Sequence, residues 1–477
     1  MARDFRSFLR EYEEAFPQEI VHIEKEISAQ WEVTALVIRA DQYWADPPIF
    51  ILHNVINHLG AKGQHKSVVN LFASRQRRCW VTGTTERTYA RDLYHKGIER
   101  GVDPVLVDRR DAPVKQNIRL GREVDLYAFA PLVHHYLDPG PYTSQGSWLC
   151  YDPDTGIDNS TIQRGWIAEK NEIRWWPIKQ SDNNRILQKY EERGRNMPIA
   201  CWIGLHPAAT IGCNLGVAPG SSHLRCAGGV LGEPIRMVAS ETLGNDFLVP
   251  ADAEVVIEGI VPAGLRKPEG PFGEAWGHTG GQRWNPVVEV TAVTYRNDPH
   301  WISDMISHKD EWAGAFSDKR TMVALEICKK AVPTVIDVRN SSHPGIVFVQ
   351  LDKKRPGEAI EAGLAAAAAK YGNKMIIVVD KDIDIYDDQD IWLALASRVQ
   401  WDTDIHVIPG GRGASTDPSI VKDGVSAKIV IDATKPLDSE RPFAARNSVP
   451  QEALDKIKLE DYVPLLHAER EARNYAK

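Results

Sequence analysis

A chain of 477 residues, 43% hydrophobic and 26% charged, has room for two or three separately packed cores. Its formal net charge is −8, and no stretch gathers Lys and Arg among aromatics, which speaks against nucleic acid as a partner. No run approaches the roughly 18 apolar residues of a membrane helix, and the N-terminus is polar where a signal peptide would be apolar. The six cysteines are scattered with no CxxC pair, so a cytoplasmic protein with reduced thiols is expected, without a disulfide framework or zinc site.

Residues 4–16 place apolar side chains at 5, 8, 9 and 12 and predict an amphipathic helix. Ile20–Ile23 reads as a strand and Trp31–Arg39 as a helix. Phe50–Leu52 and Ser67–Phe72 continue a small α/β unit that ends near residue 111. From Ala112 to about residue 310 the segments are short and β-rich, with turns at Asp138-Pro139-Gly140-Pro141 and Asp152-Pro153-Asp154-Thr155-Gly156. One helix interrupts them, from Asn184 to Glu192. Many short strands around one helix predict a barrel-like β domain. The C-terminal third alternates helix and strand: Lys319–Lys330 helical, Gly345–Leu351 extended, Glu358–Tyr371 helical, Lys374–Asp380 extended, Asp390–Ser397 helical. That spacing predicts an α/β domain with a mainly parallel sheet. The charged final 30 or so residues suggest a tail helix.

Within the β-rich third, Glu269-Gly270-Pro271-Phe272-Gly273-Glu274 puts two carboxylates five positions apart. Pro271 and the two glycines force a non-helical path between them. Strands read on both sides, at Glu254–Glu258 and Val287–Val293, so sheet holds the loop at both ends. Taken alone, a surface turn with two solvated glutamates explains the stretch equally well. Three of the 14 tryptophans, Trp176, Trp276 and Trp284, fall near these stretches and could line an aromatic pocket.

The wider pattern resembles the UbiD-like decarboxylases. Glu269–Glu274 is similar to that family's E-G-P-[FY]-G-[DE] signature. Asn159-Ser160-Thr161-Ile162-Gln163-Arg164 resembles its N-x-x-x-x-R segment. Asn196–Ala200 leading to Gly204-Leu205-His206-Pro207-Ala208, then Phe247–Ala251, Glu254 and Glu258-Gly259, follow in the family's order. Lys374–Asp384 and Gly424–Lys428 with Asp432-Ala433-Thr434 match its C-terminal part. The resemblance spans essentially the whole chain.

That resemblance implies an α+β, multidomain fold: an N-terminal α/β domain (1–111), a central split β-barrel that binds flavin (112–310) and a C-terminal α/β dimerisation domain (311–477). It implies prenylated FMN as cofactor, with Mn2+ and K+ at its phosphate, supplied by a flavin prenyltransferase. The implied reaction is reversible non-oxidative decarboxylation of an aromatic, heteroaromatic or α,β-unsaturated carboxylic acid through a covalent adduct, releasing CO2. A homodimer or a dimer-based hexamer is the implied assembly. Carried over residue by residue, Glu274 would donate the proton, while Arg164 pairs with Glu269 and faces the substrate carboxylate. A dry pocket should raise the Glu274 pKa so that it holds a proton near neutrality. Asn159, Ile162, Gln163, Arg164, Trp176, Pro177, Lys179, His223 and Lys374 would line the cofactor, and Lys428 is a further candidate.

The chain departs from the family at the metal. Asn159 stands at the first ligand position, but His223 replaces the usual Glu, and no His follows Trp176, where Lys179 is the nearest equivalent. Manganese favours oxygen ligands, so either a metal is held weakly at Asn159 and His223 or by different ligands, or Lys179 and His223 replace it; a third reading makes His223 a plain loop histidine. Two rival functions remain at this stage: an FMN oxidoreductase on the same barrel, and a non-catalytic cofactor-binding subunit. The first lacks a G-x-G-x-x-G after a strand, and the second need not have kept Arg164, Glu269 and Glu274 together.

Overall fold

Asp4 and Ser7 start the first helix by reciprocal capping: Asp4 Oδ1 accepts from the Ser7 N–H at 2.8 Å and Ser7 Oγ from the Asp4 N–H at 2.9 Å. That helix, α1 (Phe5–Ala15), buries Phe5, Phe8, Leu9 and Tyr12, the stripe that the periodicity predicts. α2 (Glu32–Tyr43) and strands β1 (Ile20–Ile23), β2 (Ile49–Leu52) and β3 (Lys66–Val69) complete the N-terminal α/β layer. A fourth strand, His300–Ile302, joins its sheet from far along the chain, parallel to β3. The computed structural model describes residues 3–461 except 45, 216–217, 219, 307–318, 342, 370–371, 421–423, 438–440, 448 and 459–460. By its contacts the chain falls into two units, residues 1–319 with 416–418, and 320–415 with 419–477.

The first unit is organised on a ten-stranded sheet. Its strands are β4 (Asn117–Leu120), β5 (Tyr142–Thr143), β6 (Ser147–Tyr151), β7 (Asp158–Ile162), β8 (Gly165–Glu169), β9 (Glu172–Trp175), β10 (Met197–Ile203), β11 (Val255–Val261), β12 (Arg266–Glu269) and β13 (Arg283–Tyr295). The order across the sheet is β7-β6-β10-β11-β13-β9-β8-β5, with β4 and β12 also pairing to the long β13. β7 lies at one end of this path and β8 next to the other, yet only Gln163 and Arg164 separate them in sequence. Three Cα steps cover at most about 11 Å. The sheet must therefore curl until its ends nearly meet, a half-barrel whose split is crossed by Gln163 and Arg164. Side chains from the N-terminal layer and the sheet, including Phe5, Phe8, Trp148, Trp202 and Trp301, share one continuous core.

The β-rich third holds more helix than its sequence suggests. α3 (Asp182–Glu192) is the expected one, capped by Ser181. α4 (Pro207–Cys213) and α5 (His223–Leu231) were not expected. α5 is buried on every side apart from Arg225, so it shows no amphipathic period, and Gly228-Gly229 reads as a breaker. Those glycines serve close packing instead: a Cβ on Gly229 would lie 2.1 Å from the Lys96 carbonyl oxygen, and one on Gly228 2.5 Å from that of Val102.

Two glutamates on the approach to the signature hold the frame together. Glu254 is fully buried and accepts from Arg6 Nε at 2.9 Å and from the His300 N–H at 2.9 Å. Glu258 accepts the backbone N–H groups of Glu241 and Thr242 at 2.8 Å each. In each, hydrogen bonds compensate a buried carboxyl group and tie distant segments to β11 or its edge.

The second unit carries a five-stranded sheet ordered β14 (Val335–Asn340), β15 (Ile346–Leu351), β16 (Met375–Asp380), β18 (Val425–Ala433), β17 (Ile405–Arg412). Its two inner pairs are parallel and its two outer pairs antiparallel, so the sheet is mixed rather than mainly parallel. Helices α6 (Lys319–Ala331), α7 (Glu358–Ala369) and α8 (Asp388–Arg398) fall where expected. Lys428, a further cofactor candidate, lies inside β18, buried, with Nζ donating to the Ala367 carbonyl. Of the expected tail helix, Gln451–Lys456 is helical, and residues 462–477 lie outside those described.

Candidate active site

Glu269 ends β12, directly across from Arg283 on β13, and the chain then turns through Gly270 at φ +83° and a cis Gly270–Pro271 bond. A Cβ on Gly270 would meet the Gly281 carbonyl at 3.2 Å, so position 270 requires glycine on both steric counts. Phe272-Gly273 pairs with Thr279-Gly280 in a short hairpin, whose five-residue turn, 274–278, begins with Glu274. Asp138 anchors this loop from another segment, accepting from the Gly273 N–H at 3.3 Å and the His135 N–H at 2.9 Å.

Arg164 reaches this loop from the sheet's split. Its Nε donates to Glu269 Oε1 and its Nη2 to Glu269 Oε2, both at 2.9 Å, and its Nη1 donates to Glu274 Oε1. Arg164 is buried, Glu269 fully so, and Glu274 retains 8% exposure. Glu269 accepts two further bonds, from the Tyr142 hydroxyl at 3.0 Å and Asn285 Nδ2 at 2.9 Å. Four donors fill the acceptor positions of one carboxylate. The guanidinium lies over the Trp176 ring at 4.1 Å and the Phe272 ring at 5.0 Å.

The environments of the two glutamates differ. Burial pushes the Glu274 carboxyl above its ordinary value, and the Glu269 charge adds to this, with Arg164 opposing. For Arg164 burial alone would disfavour the charge, but Glu274 and Glu269 outweigh it and raise the pKa. Burial likewise lifts the Tyr142 phenol well above its usual value, which keeps it a hydrogen-bond donor to Glu269. The arrangement is one carboxyl group saturated with hydrogen bonds, one whose pKa burial raises, and a cation held between them. Such a set can deliver a proton to a substrate atom.

The other candidates divide into three groups. Asn159, Ile162 and Gln163 are buried on β7 and the crossing. Asn159 Nδ2 donates to Asn183 Oδ1, the Ile162 N–H to Asn214 Oδ1 at 2.9 Å, and Gln163 Nε2 to Ser181 Oγ at 3.1 Å. Trp176 and Pro177 are buried just after β9, and the Trp176 N–H donates to the Arg164 carbonyl at 3.2 Å. Lys179 is exposed, and Lys374 lies in the other unit, where its Nζ donates to Ser419 Oγ.

His223 is buried at the start of α5, with Nδ1 bonded to the Cys213 carbonyl at 2.6 Å. Among the described residues no three His, Cys, Asp or Glu side chains converge as a metal site. Asn159 keeps Oδ1 as one oxygen donor, but with His223 as the only other candidate ligand the set is too small to fit a divalent cation. All six cysteines are free and buried.

Sequence reasoning missed Tyr142, Asn285 and Arg283. Asn285 and Arg283 stand two apart on β13 opposite Glu269, and the strand's alternation could have flagged them had β12 been recognised. Tyr142 gives no local signal. Trp284, between them, points the other way and is 72% exposed, so it does not line the site.

The family model described as the 3-octaprenyl-4-hydroxybenzoate carboxy-lyase Rift-related domain matches residues 105–309, and the C-terminal domain of the same carboxy-lyase matches 320–433. A phenolic acid decarboxylase of Bacillus subtilis is 27% identical over 460 residues, 92% of this chain and 93% of its own. An anhydromevalonate phosphate decarboxylase of Methanothermobacter thermautotrophicus is 33% identical over 331 residues, covering 68% of this chain and 76% of its own. The UbiD-class enzyme HmfF from Pelotomaculum thermopropionicum, solved in complex with FMN, superposes with a TM-score of 0.88 at 31% identity, covering 96% of this chain and 100% of its own. An evolved dimeric form of HmfF in complex with prFMN gives 0.84 at 30% identity, over 97% and 100% of the two chains. Among the described residues no helix is long and apolar enough to cross a membrane. With two family models ordered along the chain and relatives aligned over nearly all of it, this protein belongs to the UbiD family of carboxy-lyases.

Proposed function

We propose that this chain decarboxylates an aromatic, heteroaromatic or α,β-unsaturated carboxylic acid with prenylated FMN as cofactor, Glu274 as proton donor and the Arg164–Glu269 pair positioning the substrate. One observation carries the reading: Arg164 donates to both Glu269 and Glu274, residues that lie 105 and 110 positions away. Removing CO2 from an sp2 carbon leaves an electron pair that side chains cannot delocalise. A bound prenylated flavin supplies that electron sink.

The polar wall beside Arg164 fits a ring with carbonyl and ring-nitrogen groups. The buried Gln145 Nε2 and Ser147 Oγ, on the chain that pairs beside this crossing, meet no hydrogen-bond partner among the described residues. Asn159, Ile162, Gln163, Arg164, Trp176 and Pro177 would hold the flavin, with His223 and Lys179 toward its phosphate. The same reading assigns residues 112–310 as the flavin-binding domain, 1–111 and 311–477 as its flanks, a homodimer or dimer-based hexamer as the assembly, and a flavin prenyltransferase as the cofactor source.

The protein's own part is proton delivery and orientation. Arg164 spends three of its five N–H groups on the glutamates, leaving one on each terminal nitrogen for the substrate carboxylate. As the carbon–carboxylate bond breaks, CO2 leaves and the electron pair stays on the carbon. The Glu274 proton then forms the new C–H bond, and solvent restores the acid. Coexpression with a flavin prenyltransferase, followed by a panel of such acids scored for CO2 release and deuterium uptake from heavy water, tests the reading. Flavin-loaded protein inert on every acid, in both directions, refutes it.

A further inference from the structure

The turn that begins with Glu274 is tied to a distant part of the chain. Residues 277–279 of the hairpin are exposed, and Gly277 takes φ +74°. Inside the turn the Glu274 N–H donates to the His278 carbonyl and the Gly277 N–H to the Glu274 carbonyl, both at 2.9 Å. Trp276 is half-buried, and its indole Nε1 donates to Thr416 Oγ1 at 3.0 Å, from 140 positions away. Residues 416–418 lie between β17 and β18 in sequence, yet by their contacts they belong to the first unit, and Asp417 among them is buried.

Three anchors thus act on this hairpin. Asp138 holds its entry through the Gly273 N–H, Arg164 holds Glu274 Oε1, and Thr416 holds the turn beyond Glu274 through Trp276. The first two act at or before the acid, and glycines at 277, 280 and 281 lend the returning chain little stiffness of its own. A proton donor must be held within about 0.5 Å of its working position, and a misplacement of about 1 Å can cost on the order of 10²-fold in rate. A half-buried indole N–H can be satisfied by water as well as by a hydroxyl. What the Thr416 bond adds is a fixed position for the turn.

We propose that Thr416 is a positioning residue for the decarboxylation, holding Trp276 so that the turn 274–278 keeps Glu274 aimed at the substrate. This rests on the reading of Glu274 as proton donor and adds to it a residue from a loop far along the chain. The contact is one neutral hydrogen bond, which corresponds to a preference of roughly 2–10-fold for the aligned turn. Its loss lowers kcat by a factor of that size and leaves KM, which reflects substrate binding at Arg164 and the flavin, near wild type.

Hydrogen–deuterium exchange of the flavin-loaded protein reads the turn without needing turnover. Thr416→Val removes the acceptor at nearly constant volume, Trp276→Phe removes the donor, and Thr416→Ser keeps the hydroxyl. Exchange in peptides spanning 274–278 is expected to quicken roughly 2–10-fold in Thr416→Val and in Trp276→Phe, with kcat lowered by a similar factor and KM unchanged. Thr416→Ser is expected to restore both. Peptides from β11 are the control: unchanged exchange there separates a loosened turn from a loosened fold. The double variant should be no worse than either single one. Exchange in Thr416→Val equal to wild type, full kcat despite faster exchange, or additive losses in the double variant overturns the proposal. If exchange responds as expected in a protein that releases CO2 from no acid, the tether stands and the decarboxylase reading falls.

Discussion

Glu274→Gln separates the acid role from the structural one. Glutamine keeps the volume of the side chain and a carbonyl oxygen where Glu274 Oε1 accepts from Arg164 Nη1, so the contact can persist. Arg164 also keeps both bonds to Glu269, which leaves its buried charge paired. What disappears is the transferable proton. Losing a general acid costs on the order of 10²–10⁴ in rate, roughly 3–5 kcal/mol of barrier. The substitution should therefore lower kcat by that factor while flavin content and Tm stay near wild type. Linkage supplies a second readout. The Glu274 pKa is higher folded than unfolded, so the folded state binds more protons across that interval. Its favourable contribution is full below the unfolded carboxyl value and is lost as pH rises through the folded one. Urea unfolding should show Glu274→Gln gaining stability relative to wild type as pH climbs above about 4.3, the unfolded reference for Glu. Activity should fall on the alkaline side as Glu274 loses its proton. Wild-type turnover in Glu274→Gln, or an inactive variant that has also lost its flavin, would refute the assignment of the acid.

Three further outcomes follow from the same geometry. A Cβ on Gly280 would lie 2.8 Å from Glu274 Oε1, the movable end of a side chain, so Gly280→Ala should displace the acid, lowering kcat on the order of 10²-fold with little change in Tm. Burial opposes ionisation of Glu254, but bonds from His300 and Arg6 win and hold its pKa at about 2; from the usual 4.5 this corresponds to roughly 3 kcal/mol. That stability is present above the unfolded value and lost as pH falls toward 2. The gap between wild type and Glu254→Gln in urea unfolding should accordingly be large at pH 7 and narrow by pH 3, and a gap independent of pH would contradict it. Dialysis of flavin-loaded protein against EDTA should leave both flavin and activity in place, because the described residues offer no divalent-cation donor set; one tightly bound manganese per chain by metal analysis would show otherwise.

Much of the fold was legible where the signal is local. The apolar stripe at Phe5, Phe8, Leu9 and Tyr12, and the strand–helix alternation after residue 345, survive into the structure because buried faces repeat at 3.6 or 2 residues. The helix at 223–231 was illegible for the opposite reason, since core surrounds most of it and its glycines serve packing. β12 was missed because Arg266–Glu269 is short and polar. With it went the register that sets Arg283 and Asn285 beside Glu269.

By itself the sequence determined which groups are available: an arginine, a two-glutamate turn that glycine and proline keep from coiling, and cysteines with no partners. Only the tertiary structure decided that a curled sheet carries Arg164 across its open seam and onto that turn. It also decided that Tyr142 and Asn285 complete one carboxylate's hydrogen bonds, and that a second arginine, Arg283, shares the Trp176 indole. The reason is that side-chain pattern encodes which face is buried over a few residues, whereas contacts between positions a hundred apart depend on strand order and register. Those are set by how all the buried faces pack together.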